Sequence, residues 1–173
     1  MRRLLPFMLV FSLAAGAVFA TEATTAAQES SGTAAAAYAR LLSLAGRWET
    51  TTAKGTVIRL TFESLARGRA VVERYEAGPP VTQTVSHLDG ARLLLTHYCA
   101  QGNQPRLTAT LPGAGDRLGF TFLDATNIAG PDAARMIACE FVFEDAEHFT
   151  RSETYRGAGG DETTTRRYER VMV

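Results

Sequence analysis

Along the last three quarters of the chain, short apolar runs alternate with turn sequences at intervals of about 8–12 residues, a spacing typical of an all-β barrel or sandwich. Within several runs, apolar side chains recur at every second position. Ile58, Leu60 and Phe62 share one strand face, and Phe120 and Phe122 share another. Period-two alternation with one apolar face is typical of half-buried strands. The pattern predicts ten strands, over residues 46–53, 56–63, 69–76, 81–88, 92–99, 105–111, 117–123, 135–143, 147–155 and 162–172.

The residues before the first strand are predicted to form one short helix. Tyr38, Leu41, Leu42 and Ala45 recur at helical spacing in AAAAYARLLSLAG, and Gly46 stands where helices usually end. One helix followed by consecutive strands favours an up-and-down antiparallel barrel, because a parallel sheet needs helices between its strands. The predicted fold class is therefore an all-β antiparallel barrel of about ten strands with one short N-terminal helix.

The N-terminal segment MRRLLPFMLVFSLAAGAVFA, residues 1–20, has the pattern of a secretory signal peptide: Arg2 and Arg3 precede an apolar stretch that ends in small residues. The apolar stretch is shorter than the ~20 residues that a membrane anchor needs. Residues 21–36 are small and polar, which predicts a disordered leader. We therefore expect a single barrel domain over 37–173 that is periplasmic or secreted and has no membrane association after cleavage.

The charge balance argues against a nucleic-acid partner. The chain has 18 basic and 18 acidic residues, and two of the basic ones, Arg2 and Arg3, lie in the predicted signal peptide. Lys54 is the only lysine. A near-neutral, intermixed surface lacks the basic patch that binds phosphate backbones.

The start of the first strand carries a known spacing. In LAGRWE, Gly46 and Trp48 form a G-x-W pattern directly after the helix, which is similar to the signature of lipocalins and other calycin barrels. In those proteins the tryptophan packs at the closed end of the barrel against an arginine of the last strand. Three arginines of TTTRRYERV are candidates for that role by resemblance: Arg166, Arg167 and Arg170.

Two further stretches, HLDGARLLLTHYCAQGNQPRL and FLDATNIAGPDA, resemble a group of exported bacterial lipocalin-like domains of unassigned function. The resemblance covers roughly residues 38–172. The resemblance implies a calycin-type barrel. Such a barrel is expected to bind a small hydrophobic or amphipathic molecule.

Connections of an up-and-down barrel alternate between its two rims. Those after strands 2, 4, 6 and 8 are mostly tight hairpin sequences, whereas those after the odd-numbered strands include the longest and most polar loops. The helix enters the first strand from the tight-turn rim and is predicted to plug that end. Because ligands enter barrels at the mouth, we expect the open rim to contain the site, in residues 97–106 and 124–132.

The predicted ligand is small and partly apolar. Strand residues predicted to form the apolar wall are Leu93, Leu95, Phe120, Phe122, Ile137, Phe141 and Phe149. Rim residues predicted to bind the polar end are His97, Tyr98, Asn103, Gln104, Arg106, Asp124 and Asn127. Among these, Arg106 is the candidate partner for an acidic head group. The alternative is a packed core in which the apolar residues fill the barrel.

The histidines leave two further hypotheses. No metal site is predicted, because His87 and His97 end their strands at opposite rims, roughly 25 Å apart for strands of about eight residues. Haem is an alternative ligand, by resemblance to nitrobindin-like barrels whose iron is held by a histidine. The strand 162–172 has no histidine, so His97 would have to substitute.

An enzyme is the second alternative, although no residue is assigned a catalytic role. The chain has no G-x-S-x-G nucleophile elbow. A catalytic site would use His97 as acid or base, oriented by Asp124 or Asn127.

Other polar strand residues receive structural interpretations. Carboxylates at Glu73, Glu140 and Glu153 are expected to be solvated exterior residues or partners of barrel arginines such as Arg74 and Arg151. Cys99 and Cys139 are the only cysteines. An exported protein can oxidise such a pair, so a disulfide and two small buried thiols both stay open.

Overall fold

The structure, a computed structural model, describes residues 33–111 and 115–172. The predicted signal peptide and residues 21–32 of the predicted leader lie outside these ranges. One helix, α1 (33–42), precedes ten strands. The strands are β1 Gly46–Thr51, β2 Val57–Leu65, β3 Ala70–Glu76, β4 Thr82–Asp89, β5 Arg92–Tyr98, β6 Gln104–Ala109, β7 Arg117–Thr126, β8 Arg135–Phe143, β9 His148–Gly157 and β10 Gly160–Arg170.

The strands form one closed antiparallel barrel in sequence order, which confirms the predicted fold class. Each strand pairs with the next along the chain, and β1 closes the barrel against β10. The closure is short: the register joins only Trp48 to Arg170 and Glu49 to Glu169. Each of the ten predicted strands overlaps the observed one. Within the described ranges, no helix has both the length and the apolar character needed to span a bilayer.

Helix α1 plugs the tight-turn rim, as predicted. The Tyr38 hydroxyl donates a hydrogen bond to the carbonyl of Gly68 in the β2–β3 turn, at 3.0 Å. Arg40 reaches Asp116, which directly precedes β7 at the same rim, at 3.4 Å. Within the described residues, no helix covers the opposite rim, which is therefore the open rim.

The helix begins earlier than the predicted domain boundary at residue 37. Residues 33–36 belong to its first turn, and Ala34 is fully buried. The alanine-rich sequence predicts a leader here because it has no long apolar side chain. A helix can still bury an alanine face wherever the neighbouring surface is close.

Trp48 closes the plugged end together with Arg170. The indole Nε1 donates to the carbonyl of Leu44 at 2.7 Å, and the Arg170 guanidinium lies 4.2 Å from the centre of the indole ring. The same guanidinium donates to three backbone carbonyls, those of Ser43, Ala45 and Ala146. Arg170 thus ties the end of the helix to the β8–β9 turn.

The other arginines of the last strand lie elsewhere. Arg166, which the resemblance offered for the same structural role as Arg170, faces the barrel interior near the open rim and does not reach Trp48. Arg167 faces outward and pairs with Glu144 at 2.7 Å. The correction follows from the pleat, because successive side chains of β10 point to opposite faces.

Aromatic rings fill the plugged half of the barrel. Trp48 and Phe149 meet edge to face with centroids 4.8 Å apart, and Phe149 stacks on Tyr168 at 5.1 Å. Most of the predicted apolar wall belongs to this packed core: Leu93, Leu95, Phe120, Phe141 and Phe149 are at most 2% exposed. The packed-core alternative is therefore correct for this half of the interior.

Two residues of the predicted wall are displaced by β-bulges. In β7, Leu123 is an extra residue with no partner in β6, and Phe122 is 39% exposed with the Arg135 guanidinium over its ring. In β8 the register shifts at Ile137, which is only half-buried, and Met136 takes the core position. A bulge breaks strict alternation, so the assignment of both residues to the inner wall was wrong.

Candidate functional site

A cavity of about 280 Å³ lies inside the open half of the barrel. It is bounded by the inner faces of β3 to β5, β9 and β10 and by the loop after β5. Its lining residues are Tyr75, Pro80, Thr82, His97, Cys99, Ala100, Gln101, Arg151, Glu153, Tyr155, Thr164 and Arg166. A larger depression of about 380 Å³ lies on the outer wall at the β1–β10 seam, but solvated side chains such as Arg167 and Glu169 line it. Of these two spaces, only the interior cavity is enclosed by the barrel wall and lined by buried polar groups.

A buried charge cluster forms the floor of this cavity. The Arg151 side chain is 2% exposed and is paired with two carboxylates. Its Nη1 lies 2.5 Å from Glu73 Oε1, and its Nη2 contacts Glu153 Oε1. Desolvation by burial raises the pKa of Glu73, and the attraction of Arg151 opposes that shift. Two acids therefore share one base at a depth where charge is poorly solvated.

Not every polar atom of the cluster is satisfied. Within the described ranges, Nε and Nη1 of Arg151 and Oε1 of Glu73 have no hydrogen-bond partner. The Nη1–Oε1 contact is an ion pair by distance, but its angles are not those of a hydrogen bond. Since most buried polar groups in proteins are hydrogen-bonded, these atoms have the capacity to bind a water molecule or a polar ligand group.

His97 belongs to a neutral hydrogen-bond relay on one wall of the cavity. Its Nδ1 lies 2.9 Å from the Thr84 hydroxyl, and its Nε2 lies 3.2 Å from the Tyr155 hydroxyl. Burial lowers the pKa of His97 to about 4, although the Glu153 charge acts in the opposite direction. Burial also raises the pKa of Tyr155. Both side chains are therefore neutral near pH 7, and both ring nitrogens of His97 are engaged in hydrogen bonds.

Arg166 faces the same space from β10. It lies directly opposite Arg151 in the β9–β10 register and is half-buried. No carboxylate of the described residues pairs with it, in contrast to Arg151. Its charge lowers the pKa of Tyr75, against the larger effect of burial, which raises it. Arg166 and Tyr75 thus form the charged and phenolic side of the cavity mouth.

Most of the predicted rim ligands lie on the outer wall. Pro105 and Leu107 are buried inside the barrel, so the pleat turns Gln104 and Arg106 outward. Arg106 forms an exposed ion pair with Asp124. Gln104 binds the side chain of Asn127 at 2.9 Å, and Tyr98 is 50% exposed. These side chains do not line the cavity. The prediction that Arg106 binds an acidic head group of the ligand is therefore wrong for this cavity, because Arg106 is paired with Asp124 on the outer wall.

The remaining predicted site residues have different environments. His97 lines the cavity and is 3% exposed, whereas Phe120 belongs to the packed core. Asn103 is 2% exposed, and its Nδ2 donates to the carbonyl of Ala134 at 2.8 Å. That bond joins the loop after β5 to the loop after β7, so the two loops lie at one rim. Asn103 positions the rim rather than facing the cavity.

The two cysteines are free thiols. Cys99 lines the cavity mouth, and Cys139 is buried near the charge cluster, where desolvation raises the pKa of its thiol. Within the described ranges, no group of three or more His, Cys, Asp or Glu side chains is placed to hold a metal ion.

The charged interior was missed in the sequence, although a signal for it exists. In HFTRSETYRG, Phe149 shares its strand face with Arg151, Glu153 and Tyr155. The apolar position therefore assigns the charged ones to the interior. Of the two expectations for Glu73 and Glu153, pairing with a barrel arginine such as Arg151 is correct and an exterior position is wrong, because both carboxylates contact Arg151 inside the barrel.

The fold and the site together define a class: an up-and-down barrel of ten antiparallel strands, plugged at one end by a helix, with a small polar cavity at the other. Among solved structures, the chain is similar to that of Rv2717c from M. tuberculosis, with 15% sequence identity and a TM-score of 0.49 over 79% of this chain and 98% of that one. No family model and no curated protein matches the chain.

Proposed function

We propose that the protein is an exported, lipocalin-like barrel that binds a small amphipathic molecule in the cavity at its open rim. The observation that carries the proposal is the cavity itself, in which polar groups converge beside the rings of Tyr75 and Tyr155. Ligand sites are typically concave, with a few placed polar groups among apolar and aromatic surface. Export is inferred from the signal-peptide pattern of residues 1–20.

The dimensions of the cavity limit the ligand. At about 280 Å³ it lies just below the usual range of ~300–1,000 Å³ for small-molecule sites. The plugged half of the barrel is filled by aromatic side chains and offers no space for a long tail. The cavity therefore fits a short ligand, whose polar end contacts the polar side chains that line it.

The contacts of His97 favour neither of the alternative functions, haem binding and catalysis. Ligation of haem by His97 would require the imidazole to give up a hydrogen bond, because both ring nitrogens are engaged. Catalysis by His97 as a general base is disfavoured by its pKa of about 4, which makes the imidazole a weak base. Asp124 and Asn127 lie on the outer wall and do not orient it.

Native mass spectrometry of the protein purified from an export compartment tests the proposal. We expect an added mass on the polypeptide of the native protein. Thr164→Phe places a bulky ring in the cavity and should abolish that added mass. Thr165→Phe is the matched control, because Thr165 faces outward, where it binds Ser152.

The control should retain the ligand, and circular dichroism checks that both variants are folded. Equal retention of the ligand by Thr164→Phe and the native chain would contradict the proposal. A Soret absorbance band in the purified protein would identify the bound ligand as haem and would contradict the proposal of a small amphipathic molecule.

A further inference from the structure

We infer that the cavity selects a small molecule bearing a single carboxylate, and that Arg166 is the residue that binds this group. The inference rests on the proposed function and specifies the ligand class of the same site. It differs from the sequence-based hypothesis, which assigned an acidic head group to Arg106.

Two neighbouring arginines inside the barrel differ in their charge pairing. Arg151 and Arg166 are cross-strand partners on the inner face, yet both carboxylates of the cluster contact Arg151. Arg166 is half-buried and lines the cavity without a counter-ion among the described residues. Partial burial of an unpaired charge is unfavourable, and a bound anion offsets that cost.

The charges inside the barrel limit the charge that a ligand can carry. Glu73 and Glu153 carry two negative charges when ionised, and Arg151 and Arg166 carry two positive ones. A ligand with one negative charge can pair with Arg166. A second negative charge would lie near Glu153, which already lines the cavity, and like charges at short distance repel strongly in a poorly solvated site. The site therefore favours a monoanion over a phosphate dianion.

The hydrogen-bond donors around Arg166 suit a carboxylate. A guanidinium presents paired N–H groups in one plane, which match the two oxygens of a carboxylate. The Tyr75 hydroxyl, whose pKa responds to Arg166, supplies a further donor that has no hydrogen-bond partner within the described ranges. His97 and Tyr155 are neutral, so they bring no negative charge that would compete with the carboxylate of the ligand.

The remainder of the ligand is short. One water occupies about 30 Å³ of liquid volume, so the cavity accommodates a molecule of roughly ten heavy atoms. Apolar contact is available from Pro80, Ala100 and the two tyrosine rings. Octanoate satisfies these limits, and 1-octanol is a probe of similar size without the charge.

Isothermal titration of the full mature chain with octanoate and with 1-octanol tests the inference. We expect octanoate to bind more tightly than octanol. Arg166→Gln should weaken octanoate binding by about 10–100-fold, the range for loss of a charge-assisted hydrogen-bonded pair, and leave octanol unchanged. Arg167→Gln is the matched control: the neighbouring arginine faces outward, so both affinities should stay within about twofold of the native values.

A second variant protects the test against misfolding. Arg166→Lys keeps the positive charge but removes the planar fork, so it should weaken octanoate binding less than Arg166→Gln does. Thermal unfolding establishes which variants are folded. If only the lysine variant folds, reduced octanoate affinity with unchanged octanol affinity supports the inference, and unchanged octanoate affinity overturns it.

Other outcomes separate the inference from the proposed function. Equal binding of octanol and octanoate would show a ligand cavity without anion selection and would overturn the inference alone. Tighter binding of octyl phosphate than of octanoate would overturn the preference for a single charge. If neither eight-carbon probe binds but the purified protein carries a neutral or cationic molecule, the ligand class is wrong and the binding function stands. The absence of both probe binding and any added mass would contradict both.

Discussion

Arg151 and Arg166 face each other across β9 and β10 on the inner wall of the barrel, but only Arg151 has carboxylate partners. Like charges directly opposite each other in a sheet are destabilising. Glu73 and Glu153 compensate for this by surrounding the deeper arginine with negative charge. The interior is therefore a mutually dependent set of four charges, and removal of any one has a consequence that depends on the others.

Removal of the central base is predicted to have the largest effect on stability. Arg151→Gln leaves Glu73 and Glu153 buried without the guanidinium, and we expect the free energy of unfolding to fall by about 3–5 kcal/mol at neutral pH. Urea unfolding followed by the fluorescence of Trp48, the only tryptophan, measures the loss. Arg156→Gln, an exposed arginine of the same strand, should cost less than about 1 kcal/mol. Equal losses in the two variants would mean that the buried cluster has no special role.

The excess acid of the cluster predicts a pH-dependent stability. Burial raises the pKa of Glu73 above 4.5, so the folded chain binds this proton more tightly than the unfolded chain does. The contribution of this proton to the free energy of unfolding is present below pH 4.5 and is lost as the pH rises through the folded-state pKa of Glu73. Glu73→Gln removes this titration and keeps the pair of Arg151 with Glu153. The variant should therefore gain stability relative to the native protein as the pH rises from 4.5.

Urea unfolding of the native chain and of Glu73→Gln over a series of pH values measures the difference. Glu76→Gln is the control, because Glu76 faces outward on the same strand and pairs with Arg74. A native-minus-variant difference that is constant with pH would show that Glu73 does not titrate differently in the folded state.

The fold could be predicted because its main signal is local. Alternation of apolar and polar positions identified all ten strands, and the tight turns gave the order of connections. An up-and-down barrel needs no further information, since each strand pairs with its sequence neighbour. The bulges at Leu123 and Ile137 could not be predicted in this way, because a bulge is defined by the register of the partner strand.

The candidate site was only partly predictable for a different reason. His97 was found because it ends an apolar run. The sequence also offers Arg151 as a partner for Glu153, but it does not predict a buried position for the pair, because charged side chains are rarely buried. Charge pairing overrides that tendency, and it depends on a contact between β3 and β9 that the sequence does not show. The alternation of side chains between the two faces of a strand is the more reliable guide here. It also predicts that Arg106 faces outward, because the adjacent Leu107 faces inward.

His97 predicts a pH dependence of opposite sign to that of Glu73. Its pKa is about 4 in the folded protein and 6.5 as a free side chain, so the unfolded chain binds the proton more tightly. The contribution of neutral His97 to the free energy of unfolding is present above pH 6.5. It is lost as the pH falls towards 4, and the loss is about 3 kcal/mol at most. His97→Gln should remove this loss, so that stability between these pH values falls less steeply than in the native chain. Parallel profiles of the two proteins in urea unfolding would contradict the prediction.

The G-x-W spacing predicts coupling between Gly46 and Arg170 at the plugged end. Gly46 has φ +128°, and a Cβ atom there would lie 2.9 Å from Arg170 Nη1. Gly46→Ala should therefore cost backbone strain of about 1–3 kcal/mol and also displace the guanidinium from Trp48. In an Arg170→Gln background the displacement has no further cost, so the alanine substitution should be less damaging there than in the native chain.

Unfolding of the two single variants and the double variant gives the coupling energy. Gly55→Ala is the control for backbone strain alone, because Gly55 also has a positive φ, +81°, but nothing lies within 4 Å of a Cβ atom there. It should show no coupling to Arg170→Gln, since the two sites share no contact. Additive losses for Gly46→Ala and Arg170→Gln would mean that the glycine is required only for its backbone conformation, and not to admit the arginine that closes the barrel over Trp48.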